Sequence, residues 1–185
     1  KQRIKDMADR LIRVAAERAL RRAPILEPPT GMWDSFGARF PYEETDDQLT
    51  AIEDVIGDLM SGTPMDRLIC GDVGFGKTEV AMRAAFAAAM SGAQVALIAP
   101  TTLLARQHAQ SFSERFRGFP VELRQLSRFV SASEAELTRE GIADGTVDIV
   151  IGTHALLAKS VKFQNLGLLI IDEEQRFGVQ HKERL

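Results

Sequence analysis

The sequence predicts an α/β domain, a parallel sheet covered by helices on both faces, and three observations predict it. Short apolar runs alternate with helical patterns from about residue 46 to residue 171. Those runs are apolar on both faces, as strands buried in a parallel sheet must be. A glycine-rich string, Gly71-Asp72-Val73-Gly74-Phe75-Gly76-Lys77-Thr78, stands between one such run and the helix after it. With 185 residues, 45% hydrophobic and 26% charged, the chain is long enough for one well-filled core plus appendages.

The first appendage is basic. Residues 1–22 hold eight Lys or Arg against three Asp or Glu, whereas the remainder carries a surplus of eight negative charges. Ile4, Met7, Ala8, Leu11, Ala15 and Ala19 recur at steps of three and four, the mark of an amphipathic helix over residues 1–23. Such a helix either lies solvated on the domain or serves as an arm toward nucleic acid or a neighbouring domain. Residues 24–37 carry three of the seven prolines and read as an extended linker, so the folded domain is expected over 38–185, beginning near Phe40.

Within that domain an acidic helix is expected from Asp46 to Met60, followed by a short strand from Arg67 to Cys70 with Cys70 as a small core residue. An alanine-rich helix then runs from Thr78 to Met90, ahead of a strand over Gln94–Ala99 and a helix over Thr101–Phe116. The remaining expectations are a strand near Val121–Leu126, a helix near Ala132–Ala143, a strand Val147–Ile151, a short helix His154–Leu157 and a strand Leu168–Ile171.

Composition removes several classes of function. One cysteine cannot form an internal disulfide, and three widely spaced histidines (His108, His154, His181) make no zinc pattern. No apolar run reaches a membrane span, and the charged start has no signal-peptide core, so a cytoplasmic protein is expected.

The glycine-rich string matches G-x-x-x-x-G-K-[ST] in strand–loop–helix context. Glycines 71, 74 and 76 let successive N–H groups turn inward, and the helix start adds its positive end, which together make a nest for phosphates. Lys77 can reach the β- and γ-phosphates of a nucleotide as a point charge, and the Thr78 hydroxyl can join the shell of a Mg²⁺ ion. A second acidic site is then required. Leu168–Ile171 supplies an apolar strand ending in Asp172-Glu173, where Asp172 can hold the metal shell and Glu173 can polarise the attacking water.

This set resembles the first motor domain of superfamily 2 helicases and translocases, a RecA-like P-loop NTPase domain. Asp172-Glu173-Glu174-Gln175 is similar to their motif II, and Phe40-Pro-Tyr-Glu-Glu-Thr-Asp-Asp-Gln48 to their adenine-reading motif, with Gln48 on the base edge and Phe40 or Tyr42 stacking on the ring. The string Pro100 to His108 resembles motif Ia and Ile151 to His154 motif Ib, which implies DNA phosphate contacts from Thr101, Thr102, Arg106, Gln107, Arg128, Gly152, Thr153 and His154. In isolation Thr101 and Thr153 read more readily as ordinary helix caps.

The wording GDVGFGKTEVA, APTTLLARQH, LSRF, DIVIGTHALL and LGLLIIDEEQRFGVQHKERL resembles the bacterial transcription-repair coupling factor family, with RecG-type helicases as nearest relatives. The resemblance implies ATP and Mg²⁺ as cofactors, Lys77 and Glu173 as the catalytic pair, and Gln175 and Arg176 as couplers between the nucleotide and DNA sides. It implies double-stranded DNA as a partner, held weakly by these residues alone, and a second RecA-like domain in cis. RNA polymerase and repair proteins are implied through parts of the parent outside these residues, and no membrane partner is. Fork remodelling of the RecG kind, or a P-loop scaffold without turnover, stay open as alternatives. The absence of an N-K-x-D guanine signature weighs against a GTPase.

Overall fold

The computed structural model describes residues 2–72, 74 and 76–172, with the side chains of residue 9 and of residues 12 onward in the first helix. Four parallel strands, β1 (Gln94–Ile98), β2 (Leu123–Leu126), β3 (Ile149–Gly152) and β4 (Leu166–Ile171), lie in the order β2-β3-β1-β4. Helices α1 (Gln2–Leu20), α2 (Met32–Gly37), α3 (Asp46–Met60) and α4 (Lys77–Met90) precede the sheet in sequence. Helix α5 (Thr102–Phe116) joins β1 to β2, α6 (Ala132–Asp144) joins β2 to β3, and a 3₁₀ turn over His154–Leu157 follows β3.

Alternation along the strands builds two cores. Val95, Leu97, Ile149, Ile151 and Leu168 face a layer made by α3, α4 and α5, while Ala96, Ile98, Val150 and Leu126 face α6 and the 3₁₀ turn. Both faces of β1 are therefore apolar, which is why it reads as a continuous hydrophobic run. Helix α4 is buried along nearly its whole length from Glu79 to Ala89, and alanine lets α3 and the sheet approach it closely. Helices α3 and α6 start at capping boxes, Thr45 with Gln48 and Ser131 with Glu134, and α6 stops at Gly145 in the left-handed conformation.

Three expectations need correction. Residues 24–37 are not an extended linker: they contain α2, and Leu26 and Phe36 are buried, at 3% and 0% exposure. The Leu26 N–H donates to the Leu59 carbonyl at 3.0 Å, and the Phe36 ring stacks on Phe86 at 4.2 Å and meets Phe116 and Phe119 edge-on. The packed domain thus begins before residue 38. Residues 67–70 form no strand, because none of the described strands pairs with them; Leu68 is 74% exposed and Cys70 is exposed rather than core. Helix α1 exists, but its residues 12–17, 19 and 20 are exposed, so its apolar stripe is not laid on the domain there. Arg18 ties its end to Asp66.

Candidate functional site

The loop between Cys70 and α4 turns through Gly74 and Gly76, with φ of 88° and 71°, a left-handed backbone that side chains rarely adopt. Gly76 is the residue just before α4, and a Cβ there would lie 2.1 Å from the Gln48 amide nitrogen. Glycine at this position lets α3 and the start of α4 touch. Lys77 folds back along the loop, its Nζ donating to the carbonyls of Gly71 and Asp72 at 2.5 and 2.8 Å. The amine is thereby held over the loop. Thr78 is half-buried one residue further on, while Val73 and Phe75 lie outside the described residues.

Between α3 and this loop opens a cleft of about 340 Å³, lined by Asp47, Gln48, Ala51, Ile69, Cys70, Gly71, Asp72, Lys77 and Val80. Its size suits a small ligand. Ala51, Ile69 and Val80 give it apolar lining, and Asp47, Gln48, Asp72 and Lys77 give it polar lining. The Gln48 side chain is held at the start of its helix: Oε1 accepts from the Thr45 N–H at 2.9 Å, while the Gln48 main-chain N–H donates to the Thr45 hydroxyl. Phe40 and Tyr42 do not line this cleft; their rings meet each other edge-on at 5.6 Å, and Arg115 lies 5.6 Å over Phe40. The stacking expected of Phe40 is not brought together with Gln48.

The acidic side of the site comes from the strand ends. The Asp172 N–H donates to the Ile98 carbonyl at 2.9 Å, which fixes the aspartate at the carboxyl edge of the sheet beside β1. Its Oδ2 pairs with Nε2 of His108 on α5 at 2.8 Å. Glu173, Gln175 and Arg176 lie outside the described residues. Asp172 and Thr78 offer hard oxygen donors, and no cluster of three metal-ligating side chains occurs among the described residues. Hard oxygen donors of this kind suit Mg²⁺, which is bound through one or two carboxylates plus waters and nucleotide phosphates.

The residues expected at DNA emerge at this same edge, since the register aligns Ile98, Gly152 and Leu126. Arg106, Gln107, Arg128 and His154 are exposed. Thr101 and Thr153 cap: their hydroxyls accept from the N–H groups of Leu104 and Ala155, and Thr153 is only 7% exposed. Thr102 is half-buried behind Thr101. At Gly152 a Cβ would come within 2.3 Å of the Leu126 carbonyl oxygen, so this glycine answers to strand packing.

Sequence reasoning missed a buried ionic cluster behind the loop. Glu79 on α4, with 2% of its side chain exposed, accepts from Arg83 Nε at 2.6 Å and Arg115 Nη2 at 2.7 Å, and Arg83 reaches Glu44 at 2.5 Å. Burial lowers the pKa of Arg115, against the pull of Glu79. Its signal was the pair Glu79 and Arg83, four residues apart on an otherwise apolar helix.

A parallel strand order with β1 between β3 and β4, and a loop turned through Gly74 and Gly76 ahead of α4, is the arrangement of RecA-like P-loop domains. Residues 45–185 match the DEAD/DEAH box helicase family, and the chain belongs to that family. It is similar to the transcription-repair-coupling factor of Bacillus subtilis, 53% identical over 98% of this chain, and to that of Staphylococcus epidermidis, 52% identical over its full length. The chain spans only 16% of those relatives' length. Among solved structures it is similar to RecG bound to a three-way DNA junction, with TM-score 0.82 and 37% identity over 90% of this chain and 23% of that one. A hypothetical ATP-dependent RNA helicase from Sulfolobus tokodaii shares the fold, with TM-score 0.59 and 19% identity over 80% of this chain and 42% of that one.

Proposed function

We propose that this chain is the first ATP-binding motor domain of a double-stranded DNA translocase that couples ATP hydrolysis to removal of stalled RNA polymerase in DNA repair. The observation that carries the nucleotide reading is the cleft that joins Gln48 to Lys77 beside the glycine-turned loop. The higher identity to coupling factors than to RecG favours polymerase removal over fork remodelling. In this reading the loop N–H groups and Lys77 hold the phosphates, Thr78 and Asp172 hold Mg²⁺, and Glu173 orients the water. Gln48 reads adenine, and Gln175 and Arg176 couple the site to DNA. Arg106, Gln107, Arg128 and His154 touch the DNA backbone from the exposed edge, and the cytoplasm is the site of action.

When bound, MgATP supplies the scissile phosphoanhydride and the metal charge that stabilises the leaving oxygens. The chain supplies position. Gly74 and Gly76 set the loop, and Lys77 is already aimed at it by the Gly71 and Asp72 carbonyls. Ala51, Ile69 and Val80 exclude water from the base.

Cys70, the single cysteine, is exposed and lines the cleft, so it reports occupancy directly. Saturating MgATP should slow its alkylation by a maleimide at least several-fold, and the Lys77→Ala variant should lose that protection. Equal alkylation rates with and without nucleotide would remove the cleft as the binding site. Base choice is a separate test. Guanine presents O6 and N1–H where adenine presents N6–H₂ and N1, inverting the pattern an amide must match. Gln48→Ala is therefore expected to lower the ATP-to-GTP affinity ratio in equilibrium titrations; a ratio equal to wild type would withdraw Gln48 from base reading.

A further inference from the structure

His108 is one of three scattered histidines in the sequence, yet the fold carries it across 64 residues to Asp172, the residue that follows β4. Its ring is half-buried, with 16% of the side chain exposed, and stands edge-on to the ring of Phe112, which is itself fully buried and stacked on Phe116. Phe112 lies four residues further along α5, so the imidazole is braced from its own helix. An ionised carboxylate only accepts, so in the 2.8 Å contact with it Nε2 is the donor and Asp172 Oδ2 the acceptor.

Two independent bonds thus fix Asp172 to the β1–α5 unit. Its main-chain N–H is held by Ile98 at the end of β1, and its carboxylate is held by His108 on the following helix. The first bears on where the residue sits, and the second on the rotation of the carboxylate plane. A carboxylate that serves a hydrated Mg²⁺ loses affinity when its plane turns, because the ion demands near-ideal octahedral geometry.

We propose that His108 is a positioning residue for the metal: it orients Asp172 toward the Mg²⁺ of a bound nucleotide. This rests on the ATP reading above and adds to it a residue that touches neither nucleotide nor metal. The same helix begins at Thr102 and exposes Arg106 and Gln107, so a shift of α5 would be felt at the metal carboxylate.

The test is an equilibrium titration of ATP binding to the 185-residue chain as a function of Mg²⁺ concentration, and again in EDTA, for wild type, His108→Ala and His108→Gln. Outer-shell partners of metal ligands are worth 10- to 100-fold in metal affinity. His108→Ala is expected to raise the half-saturating Mg²⁺ by about 10-fold while leaving ATP affinity in EDTA and the melting temperature near wild type. Glutamine carries an amide N–H donor on a side chain of similar reach, so His108→Gln should recover much of the Mg²⁺ response. An unchanged Mg²⁺ midpoint in His108→Ala, with wild type binding normally, overturns the role of His108 and leaves the ATP reading intact. A parallel loss of affinity in EDTA and of melting temperature in both variants makes the residue merely structural and likewise overturns the proposal. Wild type that binds no ATP under either condition overturns the nucleotide reading, and this assignment with it.

Discussion

Replacing Glu79 by alanine is expected to destabilise the domain by about 3–5 kcal/mol, the cost of breaking a buried ion pair by removing one partner. The carboxylate serves two guanidiniums at once, and Arg83 and Arg115 are themselves 7% and 8% exposed. Without Glu79, Arg115 has no carboxylate bond left among the described residues, and its Nε is already buried without a hydrogen-bond partner. Arg83 keeps its ion pair with Glu44 and the face of Trp33, whereas Arg115 is left with the faces of Phe36 and Phe40, contacts too weak to replace a carboxylate. Against a total stability of about 5–15 kcal/mol this is a large share. For a chain of this size it corresponds to a fall in melting temperature of roughly 6–20 °C. The contrast is Arg67, whose fork to Asp54 and Asp58 lies at the surface, so Arg67→Ala should leave the urea midpoint near wild type. Urea unfolding followed by circular dichroism compares the two; a Glu79→Ala midpoint equal to that of Arg67→Ala would show that the cluster is dispensable.

How much of this was legible in the sequence depended on how local the cause was. Helices α3 to α6 and all four strands follow from periodicity, caps and glycine stops, interactions that span a few residues. The glycine-turned loop and the helix start after it were equally legible, since glycines, lysine and helix start lie within eight consecutive positions. Residues 24–37 were misread because prolines advertise an extended chain, whereas what folds them down is the hole that Phe36 fills among Phe86, Phe116 and Phe119. Arg67–Cys70 is apolar enough for a strand, but an apolar run does not say whether a neighbouring strand is there to pair with it. The contacts of Arg115 with Glu79 and of His108 with Asp172 span 36 and 64 residues, and no spacing rule reaches so far.

The same logic of partners bears on turnover. Purified alone, the 185-residue chain is expected to bind MgATP weakly and to hydrolyse it at a rate about 10³- to 10⁵-fold below that of a longer polypeptide that includes the second RecA-like domain. In the motors this sequence resembles, ATP is closed between two such domains, and the second supplies an arginine that neutralises charge developing on the γ-phosphate. Among the described residues, those that line the cleft come from α3, the glycine-turned loop with the two residues before it, and the start of α4, and none of these is an arginine. Arg83 and Arg115 are committed to Glu79, and Arg39 is drawn to the carbonyls of Arg115 and Arg117 and the face of Phe119. Duplex DNA should add little. Arg106, Arg128 and His154 sit on a body that carries eight surplus negative charges beyond residue 22, and that field opposes the DNA backbone over about 10 Å at 0.1 M salt. Steady-state ATPase assays on both polypeptides, with and without saturating duplex, decide the matter. DNA-stimulated turnover of the short chain at the rate of the longer one would mean that the described cleft completes its own transition state, and the division of the site between two domains would have to be abandoned.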